Sequence, residues 1–391
     1  MTSLHSPAVV SQWQCSSAGS LQNLTLLHNI PIRPPNNCAN CKIMALINVH
    51  YVGLNFADMF ACLGLYSATP QGSFVPGLEF SGTIEGFCDV SGFVNSAIRT
   101  DETSGLSVGD GVLGVTRFGG YTTKIISELA YVRKIPKGWS YAQGASFACQ
   151  ALTAWYGLVE LGAIKKGQTA LVHSGAGGTG LWALKICHLL GVQVITTVST
   201  FEKAEELAKI LPWLDRSAIV VRNETPHSRR WRIASQSPAK VSLANTMAIN
   251  NIQYFNVVFD SLLGEWFHPS HELLGPQGRH IVLGAGSMTP HGDAPNWLQL
   301  GLRYLWRPKL DPLAMISTNK SVMAFNLIWL YENTDDIGRL FNDLFVAAEA
   351  MDPPHIGLEV PFDQATTALK QFQSGSTVGK CILRVEQQTH S

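Results

Sequence analysis

The sequence predicts an α/β protein in which a doubly wound parallel sheet follows a second, β-rich domain. Three observations lead there. A strand, a glycine-rich turn, a helix and a second strand succeed one another over 169–203. Short strand-like runs divided by Gly and Ser clusters fill much of 43–135. A chain of 391 residues also exceeds what one ordinary core organises, so two domains are expected.

The stretch 169–203 is the strongest of the three. An apolar run from Thr169 to His173 enters the turn Ser174-Gly175-Ala176-Gly177-Gly178-Thr179-Gly180. Leu181, Leu184, Ile186, Leu189 and Leu190 then keep helical spacing, and Gly191 precedes the β-branched run Val192–Thr200. Glycine suits such a bend because a cofactor pyrophosphate must approach bare backbone N–H groups and the next helix must pack close to the strand. Residues 174–180 are therefore expected to bind a dinucleotide.

The end of the second strand selects the dinucleotide. NAD-binding units place an Asp or Glu about 20 residues past the turn, on the ribose 2′-hydroxyl. Here Ser199 and Thr200 stand at the strand tip and Lys203 opens the next helix. A cation in a first helical turn opposes the helix dipole unless an anion sits there, and a 2′-phosphate is such an anion. The expected cofactor is NADPH; the alternative is that Lys203 only pairs with Glu202 or Glu206 on a solvated helix.

Composition narrows the rest. Charged residues make up 14% and the formal net charge is zero, so no basic footprint points to nucleic acid or an anionic membrane. Charges or prolines interrupt every long apolar run, which argues against an integral membrane segment. The N-terminus lacks the basic and apolar regions of a secretory signal. It is Ser-rich and poor in acids but has no arginine before Arg33, so a cytoplasmic chain is expected, with an organelle transit peptide left open. Among eight scattered cysteines only Cys38 and Cys41 have metal-like spacing, and no second pair completes a site; free packing thiols are expected.

Along the chain, 1–40 reads as a loosely specified lead-in, with a turn at Pro31, Pro34, Pro35, Asn36 and Asn37. Ile43–Val52 alternates like a strand, Phe118-Gly119-Gly120-Tyr121 reads as a turn, and Tyr141–Leu161 as one helix. The segment 219–256, with Arg229, Arg230 and Arg232, reads as a solvated face. Val257–Asp260 and Gly278–Gly284 are buried-strand patterns, and chain just beyond them, Gly284 and Ala285, is expected to line the cofactor crevice. Trp297–Trp306, with Arg303, Arg307 and Lys309 nearby, is expected to pack against the protein, a membrane-surface or substrate-cover helix being the alternative. Lys320–Leu327 reads as a late strand and Ile337–Met351 as an amphipathic helix.

Several segments carry a resemblance. They include Asn55-Phe56-Ala57-Asp58, Gly64-Leu65-Tyr66, Pro76–Gly82, Gly109–Val112, Gly119–Tyr121, Leu152–Trp155, the glycine turn and Val378-Gly379-Lys380. On these the chain resembles the zinc-free quinone oxidoreductase branch of the medium-chain dehydrogenase/reductase superfamily. Residues 302–330 are most similar to vesicle amine transport protein homologues, and the glycine turn with Ser199–Ala208 also resembles enoyl reductase domains of fatty acid and polyketide synthases.

The resemblance implies a GroES-like domain over 1–150, a Rossmann cofactor domain over 151–327, a return segment over 328–391, and a homodimer. It implies that Asn55 and Tyr66 lie near the nicotinamide and substrate, with Asp58 close by, and that Thr153 lies beside the nicotinamide. Phe325, Asn326 and Lys380 fall in matching segments and are expected at the cofactor. Bland alternatives stand beside these roles: Asp58 as a helix cap, Tyr66 as a turn aromatic, Thr153 bonded to its own helix. Zinc-dependent relatives carry Gly-His-Glu where this chain has Gly77-Leu78-Glu79, and their first zinc-binding cysteine falls near Asn55. Leucine cannot ligate a metal, so no catalytic zinc is expected. Without that Lewis acid the acceptor should already be electrophilic, a quinone or an α,β-unsaturated carbonyl. A carrier-bound enoyl thioester is the nearest alternative substrate, and an NADPH-binding vesicle or organelle partner with little catalysis the alternative of another class.

Overall fold

Alternation of side chains and the reach of the connections sort the strands into two main sheets. The computed structural model describes residues 9–34, 43–89, 94, 97–222 and 237–386. Cys38, Cys41, Arg229, Arg230 and Arg232 lie outside the described residues. The first hairpin joins β1 (Val9–Cys15) to β2 (Leu24–Pro31). Then come β3 (Met44–Gly53), α1 (Phe56–Cys62), β4 (Glu79–Cys88), the short β5 (Thr100–Asp101) and β6 (Leu106–Ser107), β7 (Gly111–Val115), β8 (Lys124–Glu128) and β9 (Val132–Lys134). A break follows where one long helix was expected. Instead α2 (Tyr141–Gly144) and α3 (Ala148–Trp155) run separately, and Tyr156–Leu161 continues as a π-helical turn. The new start at α3 leaves the Cys149 N–H outside any helix bond, and Glu79 takes it up (3.0 Å).

The cofactor-type sheet is entirely parallel. Its strands are β10 (Thr169–Val172), β11 (Gln193–Val198), β12 (Ile219–Val221), β13 (Phe255–Asp260), β14 (Leu274–Val282) and β15 (Ser321–Ala324). Between them run α4 (Gly178–Leu189), α5 (Phe201–Ile210), α6 (Pro238–Ile249), α7 (Phe267–Glu272), α8 (Trp297–Leu305) and α9 (Pro312–Thr318). The strand order is β12-β11-β10-β13-β14-β15, so the winding reverses between β10 and β13. Period-two alternation divides the apolar side chains between two faces. Ala170, Val172, Val257 and Phe259 join the core shared with α3 and α4, while Leu171, Ile195 and Val258 join that under α6.

The chain ends with α10 (Thr334–Ala348), β16 (Ile356–Pro361), α11 (Ala365–Gln373) and β17 (Lys380–Arg384). The second sheet is ordered β16-β17-β3-β4-β7-β9, with β8 also on β3. β3 sits at its centre and shares one edge between β8, opposite Met44–Asn48, and β17, opposite Tyr51–Gly53. The return comes later than the expected 328. Ile337, Leu340, Phe341 and Leu344 of α10 pack in the core of the cofactor domain, and the chain rejoins the β-rich sheet only at β16.

The expectation that Trp297–Trp306 packs against the protein is overturned. Neither α8 nor α9 buries a residue; Leu298 is 77% and Trp306 79% exposed. The tether is polar instead, because Arg303 donates to the carbonyls of Ser287 (3.1 Å) and Thr289 (3.4 Å) and leaves the apolar stripe outward. Among the described residues no helix is long and apolar enough to cross a membrane. Cys15, Cys62, Cys88, Cys149, Cys187 and Cys381 are free and buried.

A buried charge pair lies within the β-rich sheet, between the starts of β4 and β17, and reaches α3 through the Cys149 N–H. Glu79, fully buried at the start of β4, accepts from the Lys380 ammonium, from Asn55 Nδ2 (3.0 Å) and from the Cys149 N–H (3.0 Å). Lys380, 1% exposed, also donates to Asn55 Oδ1 (3.0 Å). Removing one member of such a pair strands the other charge in a low dielectric. Lys380→Met should therefore cost about 3–5 kcal/mol of stability by denaturant unfolding. The double variant with Glu79→Gln should recover part of that; a loss below about 1 kcal/mol for Lys380→Met would contradict the pair's structural role.

Candidate active site

The crevice lies beyond the carboxyl ends of the parallel strands, where the winding reverses. β10 ends at Val172 and hands the chain to His173 and Ser174, and Ser174 takes a left-handed φ of 57°. His173 is neutral: burial pushes its pKa down to about 4. The Thr197 hydroxyl and Ser270 Oγ hold its two ring nitrogens at 3.0 and 2.9 Å. The turn is thus fixed from behind by side chains of β11 and α7.

Each glycine of the turn answers a different neighbour. A Cβ on Gly175 would collide with Thr196 Oγ1, one on Gly180 with the Ser174 carbonyl, and one on Gly178 with the carboxamide of Gln150. Only at Gly177 would a Cβ find room, its nearest contact being Ser174 O at 3.4 Å. Gly177 is the N-cap of α4, and no side chain caps that helix. The first N–H groups of α4, around Gly178, Thr179 and Gly180, are those an anion can take up. Ala176 serves the tail: its carbonyl accepts the Gly379 N–H at 2.8 Å.

The polar residues expected at the adenosine end are engaged within the protein. Thr200 caps α5 through the Lys203 N–H (3.4 Å), and Ser199 precedes it. Lys203 Nζ donates to the carbonyls of Gly375 (2.5 Å) and Thr377 (2.8 Å) rather than to Glu202 or Glu206. Burial, with a smaller contribution from nearby Arg222, lowers its pKa to about 8. Arg222, at the end of β12, donates to Thr197 Oγ1 (2.8 Å), and burial lowers it to about 10. Arginine closing a buried Ile-Val-Val strand was a signal available in the sequence, and it was missed.

On the other wall the three candidate catalytic residues separate. Asn55 caps α1; one amide proton goes to Glu79 and the other points at Gly53 O (3.4 Å), so its donors are committed. Asp58 is fully buried, completes the capping box on the Asn55 N–H (2.8 Å) and accepts from Tyr121 (3.3 Å). Burial raises it to about 7. The geometry gives both residues positioning roles in place of the expected catalytic ones. Tyr66 differs. Its hydroxyl donates across the domain gap to Asn326 Oδ1 at 2.7 Å, and burial holds its pKa above the ordinary tyrosine value. It is a neutral phenol at physiological pH.

The remaining expected residues line the same edge or support it. Thr153 donates to the Cys149 carbonyl (2.7 Å) one turn back, the bland alternative for this residue. Phe325, just past β15, packs its ring on Tyr156 at 5.0 Å. Gly284 and Ala285 follow β14 beside Ser261. Lys380 turns its ammonium inward to Glu79 and Asn55, away from the expected cofactor contact. Leu78 is buried in the apolar core. Among the described residues no three His, Cys, Asp or Glu side chains are grouped to hold a metal ion.

Comparison with known proteins matches this architecture. A family model described as zinc-binding dehydrogenase covers residues 240–383. The chain is 26% identical over 346 residues to the synaptic vesicle membrane protein VAT-1 homolog of Danio rerio, covering 87% of this chain and 64% of that protein. It is 29% identical over 283 residues to a phenolphthiocerol synthesis polyketide synthase of Mycobacterium bovis, covering 71% of this chain and 11% of that one. The chain thus spans under two thirds of the length of either relative. The crystal structure of Escherichia coli quinone oxidoreductase complexed with NADPH superposes with a TM-score of 0.71 at 20% identity, over 96% of this chain and 99% of that one. The chain is thus similar to these proteins over most of its length and shares, from end to end, the fold of a quinone oxidoreductase.

Proposed function

We propose that the chain is an NADPH-dependent oxidoreductase that passes hydride to a quinone or to the β-carbon of an α,β-unsaturated carbonyl, without zinc. The observation that carries this reading is the uncapped N-terminus of α4, open at Gly177, in the same crevice as the Tyr66 hydroxyl. The bound cofactor supplies the hydride. The chain's own residues do the rest. The first N–H groups of α4 hold the pyrophosphate, and Lys203 with Ser199 and Thr200 reads the 2′-phosphate through the ammonium proton not given to carbonyls. Tyr66, kept protonated by burial, turns its O–H from Asn326 to the oxygen on which charge develops.

The ligand chemistry supports a metal-free reaction. Leu78 offers no donor atom, and the Lys380 ammonium already supplies the positive charge beside Asn55 and Glu79. The 29% identity to a polyketide synthase favours enoyl thioesters as a second acceptor class. A homodimer, as the resemblance implies, would cover the apolar stripe of α8; a vesicle surface is the other candidate cover.

NADPH oxidation with a small quinone, a free enone and an enoyl thioester tests the reading. Turnover on at least one is expected; tight NADPH binding without turnover on any would refute it. Tyr66→Phe should lower kcat about tenfold or more with little change in NADPH affinity, and full turnover would remove Tyr66 from the mechanism. Lys203→Ala should weaken NADPH about tenfold and NADH little, since a charge-assisted bond contributes ~1.5–3 kcal/mol. Equal losses for both would make Lys203 only an anchor of the 375–377 loop.

A further inference from the structure

Gln150 is a polar residue with no structural explanation inside the protein. It lies in the apolar helix α3 between Cys149 and Ala151, is 6% exposed, and its Oε1 has no hydrogen-bond partner among the described residues. Its carboxamide rests against Gly178, the first residue of α4, so close that a Cβ there would make it move aside. A buried carbonyl without a donor is a liability unless the site is completed by something else. Here that atom meets the uncapped start of a 12-residue helix, whose converging N–H groups suit an anion.

We infer that Gln150 is a cofactor-contacting residue whose side-chain amide donates to the pyrophosphate held at the start of α4. This rests on the proposed NADPH-dependent function. The two ends of a glutamine carboxamide exchange by half a turn about Cγ–Cδ, and which end is which follows from the partners available. With an anion at α4, the exchange sets Nε2–H where Oε1 stands orphaned, adding one donor to those of the backbone. Thr153, three residues on and so on the same side of α3, then extends this wall toward the nicotinamide. Glycine at 178 leaves the Gln150 carboxamide undisturbed against the start of α4.

Gln150→Leu tests this, because leucine keeps the volume and loses the amide. The variant should unfold at a higher temperature than the parent without cofactor, while its NADPH Kd rises about tenfold or more. Binding of 2′-AMP, which has the adenosine 2′-phosphate and no pyrophosphate, should stay unchanged. Gln150→Glu should weaken NADPH further, because a carboxylate repels the phosphates. Unchanged NADPH affinity with a lowered unfolding temperature would overturn the inference and leave Gln150 structural. Equal losses for NADPH and 2′-AMP would also overturn it, as a general distortion of the crevice. A parent protein that binds no NADPH would overturn the functional reading itself, and this assignment with it.

Discussion

Glu79, paired with Lys380 inside the β-rich sheet, is the buried group on which the local structure around the site depends. Glu79 opens β4, Lys380 opens β17, and the carboxylate also holds the first turn of α3 through Cys149 and the cap of α1 through Asn55. Four segments distant in sequence therefore meet on one buried carboxylate. Immediately before β17 the chain is still at the cofactor side, where Gly379 bonds the glycine turn at Ala176 and the 375–377 loop receives Lys203. The tail is pinned at both ends, to the turn that faces the pyrophosphate and to the floor of the β-rich domain. A buried ammonium is tolerable only because Glu79 and Asn55 both face it.

This division of labour separates groups that hold the site from groups left to act in it. Asn55 and Asp58 spend their hydrogen bonds on each other, on Glu79 and on Tyr121. Thr200 is a helix cap, and Lys203 is mostly an anchor. Groups with capacity to spare include the amides at the start of α4, the Tyr66 hydroxyl, which can exchange Asn326 for another acceptor, the third ammonium proton of Lys203, Asp58 Oδ1 and the orphaned carboxamide of Gln150. The Gln150 carboxamide meets the start of α4 at Gly178, beside the strand where the sheet's winding reverses.

Much of this was legible in the residues. The βαβ unit at 169–203, the strands at Val257–Asp260 and near Ile281, and the helix at 337–348 all appear because their patterns are local and periodic. What escaped was non-local. Nothing local says that Tyr141–Leu161 breaks between Gly144 and Ala148, because the acceptor that takes up the freed Cys149 N–H is a carboxylate 70 residues away. The outward stripe of α8 reads like any amphipathic helix until Arg303 is seen bonding two carbonyls. Lys380 and Asn55 belong to motifs of the family and were expected near the cofactor and substrate, yet burial and pairing fix their present roles. Gln150 had a faint signal, a lone amide in an apolar helix, which becomes meaningful only beside Gly178.

The most direct measurement is a crystal structure of the protein soaked with NADPH. The account predicts pyrophosphate oxygens on the amides of residues 177–180, the nicotinamide between Thr153 and Tyr66, and the Lys380 ammonium still on Glu79. NADPH seated away from the start of α4, or a metal ion beside Leu78, would contradict it.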